Sequence, residues 1–79
     1  MKLAYDFDAN VAYIQLREKP AEVDTIRVSV QLNVDLAPDG TIYGIELLNA
    51  RDQLRAGATD RLTVVNEGSG ESSEIKLTL

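Results

Sequence analysis

From Asp24 to Leu36 the chain alternates without a break. Ile26, Val28, Val30, Leu32, Val34 and Leu36 are apolar, and Thr25, Arg27, Ser29, Gln31, Asn33 and Asp35 between them are polar. Successive side chains of a strand point to opposite faces, so the pattern predicts one long strand with a dry face and a wet face. Shorter segments read similarly. Lys2 to Tyr5 predicts a strand, and Asp6-Phe7-Asp8-Ala9-Asn10 a turn, because Asp and Asn bond to nearby backbone and tolerate left-handed geometry. Val11 to Leu16 predicts a second strand, with Ala12, Ile14 and Leu16 on one side and Val11, Tyr13 and Gln15 on the other. Both sides are fairly apolar, which suits a central place in a sheet.

Arg17 to Val23 is a charged connection around Pro20. Ala37-Pro38-Asp39-Gly40-Thr41 carries hairpin chemistry: proline pre-sets φ and glycine is free to take a positive one. Ile42 to Leu48 is the return strand. A three-residue loop would pair Leu36 with Ile42 and set Glu46 opposite Leu32 on the dry face. A four-residue loop pairs Leu36 with Tyr43, Val34 with Ile45 and Leu32 with Leu47. The second is preferred because it keeps the apolar face continuous.

Asn49 to Leu54 predicts a short helix with Asn49 as N-cap and Gly57 near its stop. Arg61 to Val65 and Glu74 to Leu79 are strand-like, joined by Glu67-Gly68-Ser69-Gly70-Glu71-Ser72-Ser73, a flexible loop by composition. The expected fold is mainly β (α+β): a small antiparallel meander sheet, one short helix after the fourth strand, and a C-terminal hairpin. Residues 1–79 are expected to form a single domain. In it, 1–55 supply the sheet and helix, and 56–79 the hairpin extension.

The long strand conflicts with the size of the chain. Its thirteen residues span roughly 43 Å at ~3.3 Å each. A 79-residue globule has a radius of gyration near ~12 Å and a diameter of about 30 Å. The strand must bend or bulge near its middle, around Ser29, or extend in part into a partner, and bending is preferred. Its dry face needs a cover that a one- or two-turn helix cannot supply. The expectation is a homodimer, formed by sheet-on-sheet packing or by shared strands.

Charge and composition narrow the functional classes. The net charge is −5, which repels phosphate backbones and argues against nucleic acid as a partner. It favours solubility and, for a partner, a basic protein. There is no cysteine and no histidine, which removes thiolate metal sites, disulfides and the commonest general base. No segment approaches the ~20 apolar residues of a membrane span, and no leader is evident. The reading is a cytoplasmic protein with no membrane association.

Candidate chemistry is sparse. Asp6, Asp8 and Asn10 match the first three ligand positions of a calcium loop, but Val11 and Arg17 stand where the turn glycine and the bidentate glutamate belong. A plain turn is preferred. Asp35, Asp39 and Glu46 lie on or beside one hairpin and read as carboxylates on a wet face. Gly68-Ser69-Gly70 lacks the strand-then-helix context of a phosphate cradle, and Ser69, Ser72 and Ser73 have no base beside them. Tyr5, Tyr13 and Tyr43 read as half-buried sheet residues with wet hydroxyls. Gly44 inside a strand marks a bulge or a close backbone approach. No catalytic residue, cofactor site or metal site is assigned.

Two stretches carry a resemblance. Tyr5-Asp6-Phe7-Asp8-Ala9-Asn10-Val11-Ala12-Tyr13-Ile14 resembles a Y-D-x-(E/D)-A-(D/N)-x-x-Y-I pattern. The segment from Val34 to Ala50 resembles V-D-x-x-x-D-G-x-(I/V)-x-G-I-E-(I/L)-L-x-A. Both are hallmarks of the bacterial and archaeal "domain of unknown function 2283" family, over residues 1 to about 55. Family members often carry serine where Arg51 stands. The resemblance implies no assigned activity. Members are sometimes encoded beside small toxin-like proteins, which implies an antitoxin-like or accessory binding role. The expected function is a non-enzymatic protein-interaction module. The alternative is a small carboxylate- or metal-dependent enzyme using Asp6, Asp8, Asp35 or Glu46.

Overall fold

The alternating stretch is a hairpin, not a strand. The computed structural model describes residues 1–18, 22–55 and 61–77. In it, β3 (Asp24–Ser29) and β4 (Leu32–Leu36) pair antiparallel, with Ser29 opposite Leu32 and Ile26 opposite Val34. The expected break near Ser29 is there: the strand bulges between Arg27 and Ser29, and the chain then reverses fully at Val30-Gln31. A two-residue loop by itself would pair apolar with polar positions. A register shift between Arg27 and Ser29 makes Val28 an extra residue and restores the parity. Apolar Ile26 therefore meets apolar Val34, and the alternation passes through the turn unmarked. The Ser29 hydroxyl accepts the Gln31 N–H at 3.1 Å. The Gln31 carbonyl accepts from Leu48 N at 3.0 Å and Gln53 Nε2 at 2.9 Å.

The other strands are β1 (Lys2–Asp6), β2 (Val11–Gln15), β5 (Ile42–Leu48), β6 (Arg61–Val65) and β7 (Ser72–Lys76), with helix α1 (Ala50–Leu54) after β5. The helix thus follows the fifth strand and not the fourth, because the alternating stretch supplies two. The main sheet runs β1-β2-β5-β4-β3, all neighbours antiparallel. β2 is interior, as its two apolar sides require, and ends one residue before Leu16. Leu16 N still donates to Tyr43 O at 2.9 Å. Between β4 and β5, Val34 pairs with Ile45 and Leu32 with Leu47, as the four-residue loop predicts. A bulge then sets Leu36 opposite Ile42 in place of Tyr43. In the turn, Gly40 has φ +88°. Asp39 Oδ1 accepts the Thr41 N–H at 2.9 Å. Hydrogen bonds from the Thr41 side chain and backbone hold the Asp39 carboxyl below its ordinary value.

The pairing sorts the sheet into two faces. Leu3, Ile14, Ile45, Leu47, Val34 and Ile26 share one; Tyr13, Gly44, Glu46, Asn33, Asp35 and Thr25 share the other. Among the described residues only Ala12 and Ala50 are buried apolar residues, and no large side chain is fully buried. β6 and β7 form a separate two-stranded sheet. The loop between them is ordered by Asn66, whose carbonyl accepts from Gly70 N at 2.8 Å and whose N–H donates to Glu71 O at 2.8 Å. Ser72 and Ser73 belong to β7, not to the loop, and β7 stops at Lys76. Gly57, the expected helix stop, lies outside the described residues.

Candidate functional site

Polar side chains form a strap across the second face. Tyr13 on β2 reaches over β5 and donates its hydroxyl to Asp35 Oδ2 on β4 at 2.7 Å. Thr25 on β3 donates to Asp35 Oδ1 at 2.6 Å. One chain of hydrogen bonds thus links three strands, β2, β4 and β3, across β5. Gly44 makes it possible, because it is buried opposite Asp35 on β5, under the Tyr13 ring. The strand glycine read as a bulge or a close approach is beside a bulge and is closely approached. Asp35 is 7% exposed, so it is not the wet-face carboxylate expected from alternation. Glu46 Oε1 accepts from Asn33 Nδ2 at 2.9 Å across the β4–β5 pair. Asp39 sits apart, in the exposed turn. Asp35 and Glu46 share a face, but each is engaged by a neutral donor, an arrangement that cross-links strands.

A second constellation joins the β1–β2 turn to α1. Asn10 and Asn49 both take left-handed backbone, with φ 55° and 52°. Asn49 holds the N-cap position, as expected, but its side chain makes no capping bond. Asn10 caps in its place: its carbonyl accepts Ala50 N at 2.9 Å and its Oδ1 accepts Arg51 N at 2.8 Å. Tyr5 also donates its hydroxyl to Asn10 Oδ1, at 3.2 Å, and Asn10 Nδ2 donates to Asn49 Oδ1 at 3.1 Å. The Arg51 guanidinium lies 4.8 Å from the centre of the Phe7 ring. Asn10→Ala removes a helix cap and puts a β-branch-free but non-glycine residue in left-handed backbone. It is expected to cost about 2 kcal/mol. Asn10→Gly restores the backbone and recovers only part of the loss, as read by thermal unfolding.

These contacts reassign the motifs singled out in the sequence. Asp6 Oδ1 accepts Ala9 N at 3.0 Å, a turn bond, and Asn10 Oδ1 is committed to the helix, so the calcium-like spacing builds a turn. Among the described residues no group of three or more Asp or Glu is placed to hold a metal ion. In the β6–β7 loop the N–H groups of Gly68 and Ser69 both donate to Asn66 Oδ1, at 3.0 and 3.3 Å, where a phosphate cradle would leave them outward. The hydroxyls of Tyr5 and Tyr13 are bonded within the protein, contrary to the wet hydroxyls expected. Tyr43 lies beneath Arg17, 5.8 Å from the ring centre. Sequence reading missed Thr25 and the capping role of Asn10; a left-handed-tolerant residue at a turn was the one visible signal for the latter.

No described helix is long and apolar enough to cross a membrane. No curated protein matches the chain, and no solved structure does. Residues 2–51 match the model of the family described as "Protein of unknown function (DUF2283)". That span holds β1 to β5 and the helix start, and with them Tyr13, Asp35, Gly44, Asn10 and Asn49. The chain belongs to the DUF2283 family.

Proposed function

We propose that this chain is a protein-interaction module without enzymatic activity, working as a homodimer whose subunits close their apolar sheet faces on each other. The observation that carries the reading is the uncovered dry face. The chain exposes 5735 Å². A monomeric protein of 8.7 kDa exposes about 4700 Å². The excess of about 1000 Å² is of the size each partner loses in a standard interface, about 800 Å². The radius of gyration, 14.1 Å, likewise exceeds the ~12 Å of a compact chain of this length.

Self-association leaves the sheet edges β1 and β3 for other proteins. β3 is interrupted by its bulge, a usual protection of an edge. β1 offers an unbroken row of backbone groups from Lys2 to Asp6, suited to strand addition. The net charge of −5 favours a basic protein there, consistent with an antitoxin-like or accessory role. Sedimentation equilibrium is expected to give twice the 8.7 kDa chain mass. A mass that stays at one chain across the concentration range overturns the homodimer.

A further inference from the structure

We infer that the C-terminal hairpin is an arm that closes on a second copy of this chain, its apolar side seated on the exposed β3 end of that copy's dry face. The inference rests on the homodimer proposed above and adds what each subunit contributes to the other. In the hairpin, Leu62 pairs with Ile75 and Val64 with Ser73 on one side, and Thr63 pairs with Glu74 on the other. The Arg61–Glu74 ion pair, at 3.1 Å, lies on the polar side. The hairpin is therefore two-faced, and such a face is buried in a stable assembly. A lone two-stranded hairpin is at best marginally stable in water. Yet Leu62, Val64 and Ile75 are 42%, 50% and 52% exposed.

The matching vacancy is at the sheet's β3 edge, where Ile26 and Val28 are 46% and 59% exposed. Both surfaces stand open in the same chain, so its own sheet does not cover its own hairpin. Two sheets packed face to face cross at about 30° because each is twisted, which leaves their corners uncovered. A corner at β3 suits a short apolar ribbon from the facing subunit. The family match ends at residue 51, so the arm lies outside the matched span.

The chain has no cysteine, which makes the test clean. Full-length Val28→Cys and Val64→Cys proteins are mixed and oxidised, each bearing a single thiol. The expected product is a disulfide-linked heterodimer. Val65→Cys is the control: it is equally exposed, at 54%, but lies on the opposite side of the hairpin. Equal cross-linking from Val65→Cys overturns the inference. Leu62→Lys combined with Ile75→Lys is expected to weaken self-association by about tenfold or more while the main sheet melts unchanged. If that variant dimerises as tightly as the parent, the arm is refuted and the homodimer stands. If the parent itself is monomeric, both readings fall.

Discussion

Gly44→Ala destabilises the sheet by about 3 kcal/mol and detaches Tyr13 from Asp35. A β carbon at position 44 would lie 2.0 Å from the Tyr13 hydroxyl oxygen, 2.2 Å from Cζ and 2.7 Å from Cε1. These atoms belong to a rigid ring spanning a strand, so no small adjustment relieves the clash. The ring must swing away, and its 2.7 Å bond to Asp35 breaks with it. Overpacking costs about 1–3 kcal/mol, and a hydrogen bond to a charged group is worth about 1.5–3. One motion incurs both, so they do not add in full. At about 4–8 °C per kcal/mol for a domain of this size, the melting temperature falls by about 12–24 °C. A double-mutant cycle identifies the cause. In a Tyr13→Ala background the second substitution, Gly44→Ala, costs under about 0.5 kcal/mol, because the ring it would strike is gone. An undiminished penalty in that background would place the glycine requirement in the backbone and not under Tyr13.

The sequence revealed local chemistry well and its tertiary consequences poorly. The limits of β5, the Pro38–Gly40 turn and the interior place of β2 follow from residue pattern and turn propensity. The reversal at Val30-Gln31 does not. Neither residue carries turn chemistry, and the Val28 bulge cancels the change of face that a two-residue loop should leave in the alternation. What fixes the turn comes from far along the chain: Leu48 and Gln53 both donate to the Gln31 carbonyl. The candidate site divides the same way. Gly44 was legible as a close approach, but its visitor, Tyr13, is known only once β2 is registered against β5. Asn10 was legible as a turn residue, but not as the cap of a helix that begins at Ala50. Alternation placed Asp35 on the polar face, as the pairing has it, but not in water: the Tyr13 ring lies across that face and Asp35 is buried.

Removing that buried carboxylate is the second large perturbation. Asp35→Ala is expected to cost about 3 kcal/mol, read as a lower urea midpoint at unchanged slope. Two hydroxyl donors, Tyr13 at 2.7 Å and Thr25 at 2.6 Å, lose their common acceptor. Thr25 is exposed and regains a water partner, so its share is small; Tyr13 is half-buried and bears most of the loss. Asp35→Asn keeps an acceptor oxygen for one hydroxyl and turns its amide toward the other, whose oxygen can accept, so about 1–2 kcal/mol is expected. Tyr13→Phe removes one bond and keeps the ring over Gly44, at about 1.5–3 kcal/mol. The strap lies on the face opposite the proposed dimer contact. Asp35→Ala should therefore lower stability while leaving the sedimentation mass of the folded protein unaltered. A variant that loses its partner while keeping its melting temperature would instead place Asp35 in the interface, and with it the polar face of the sheet.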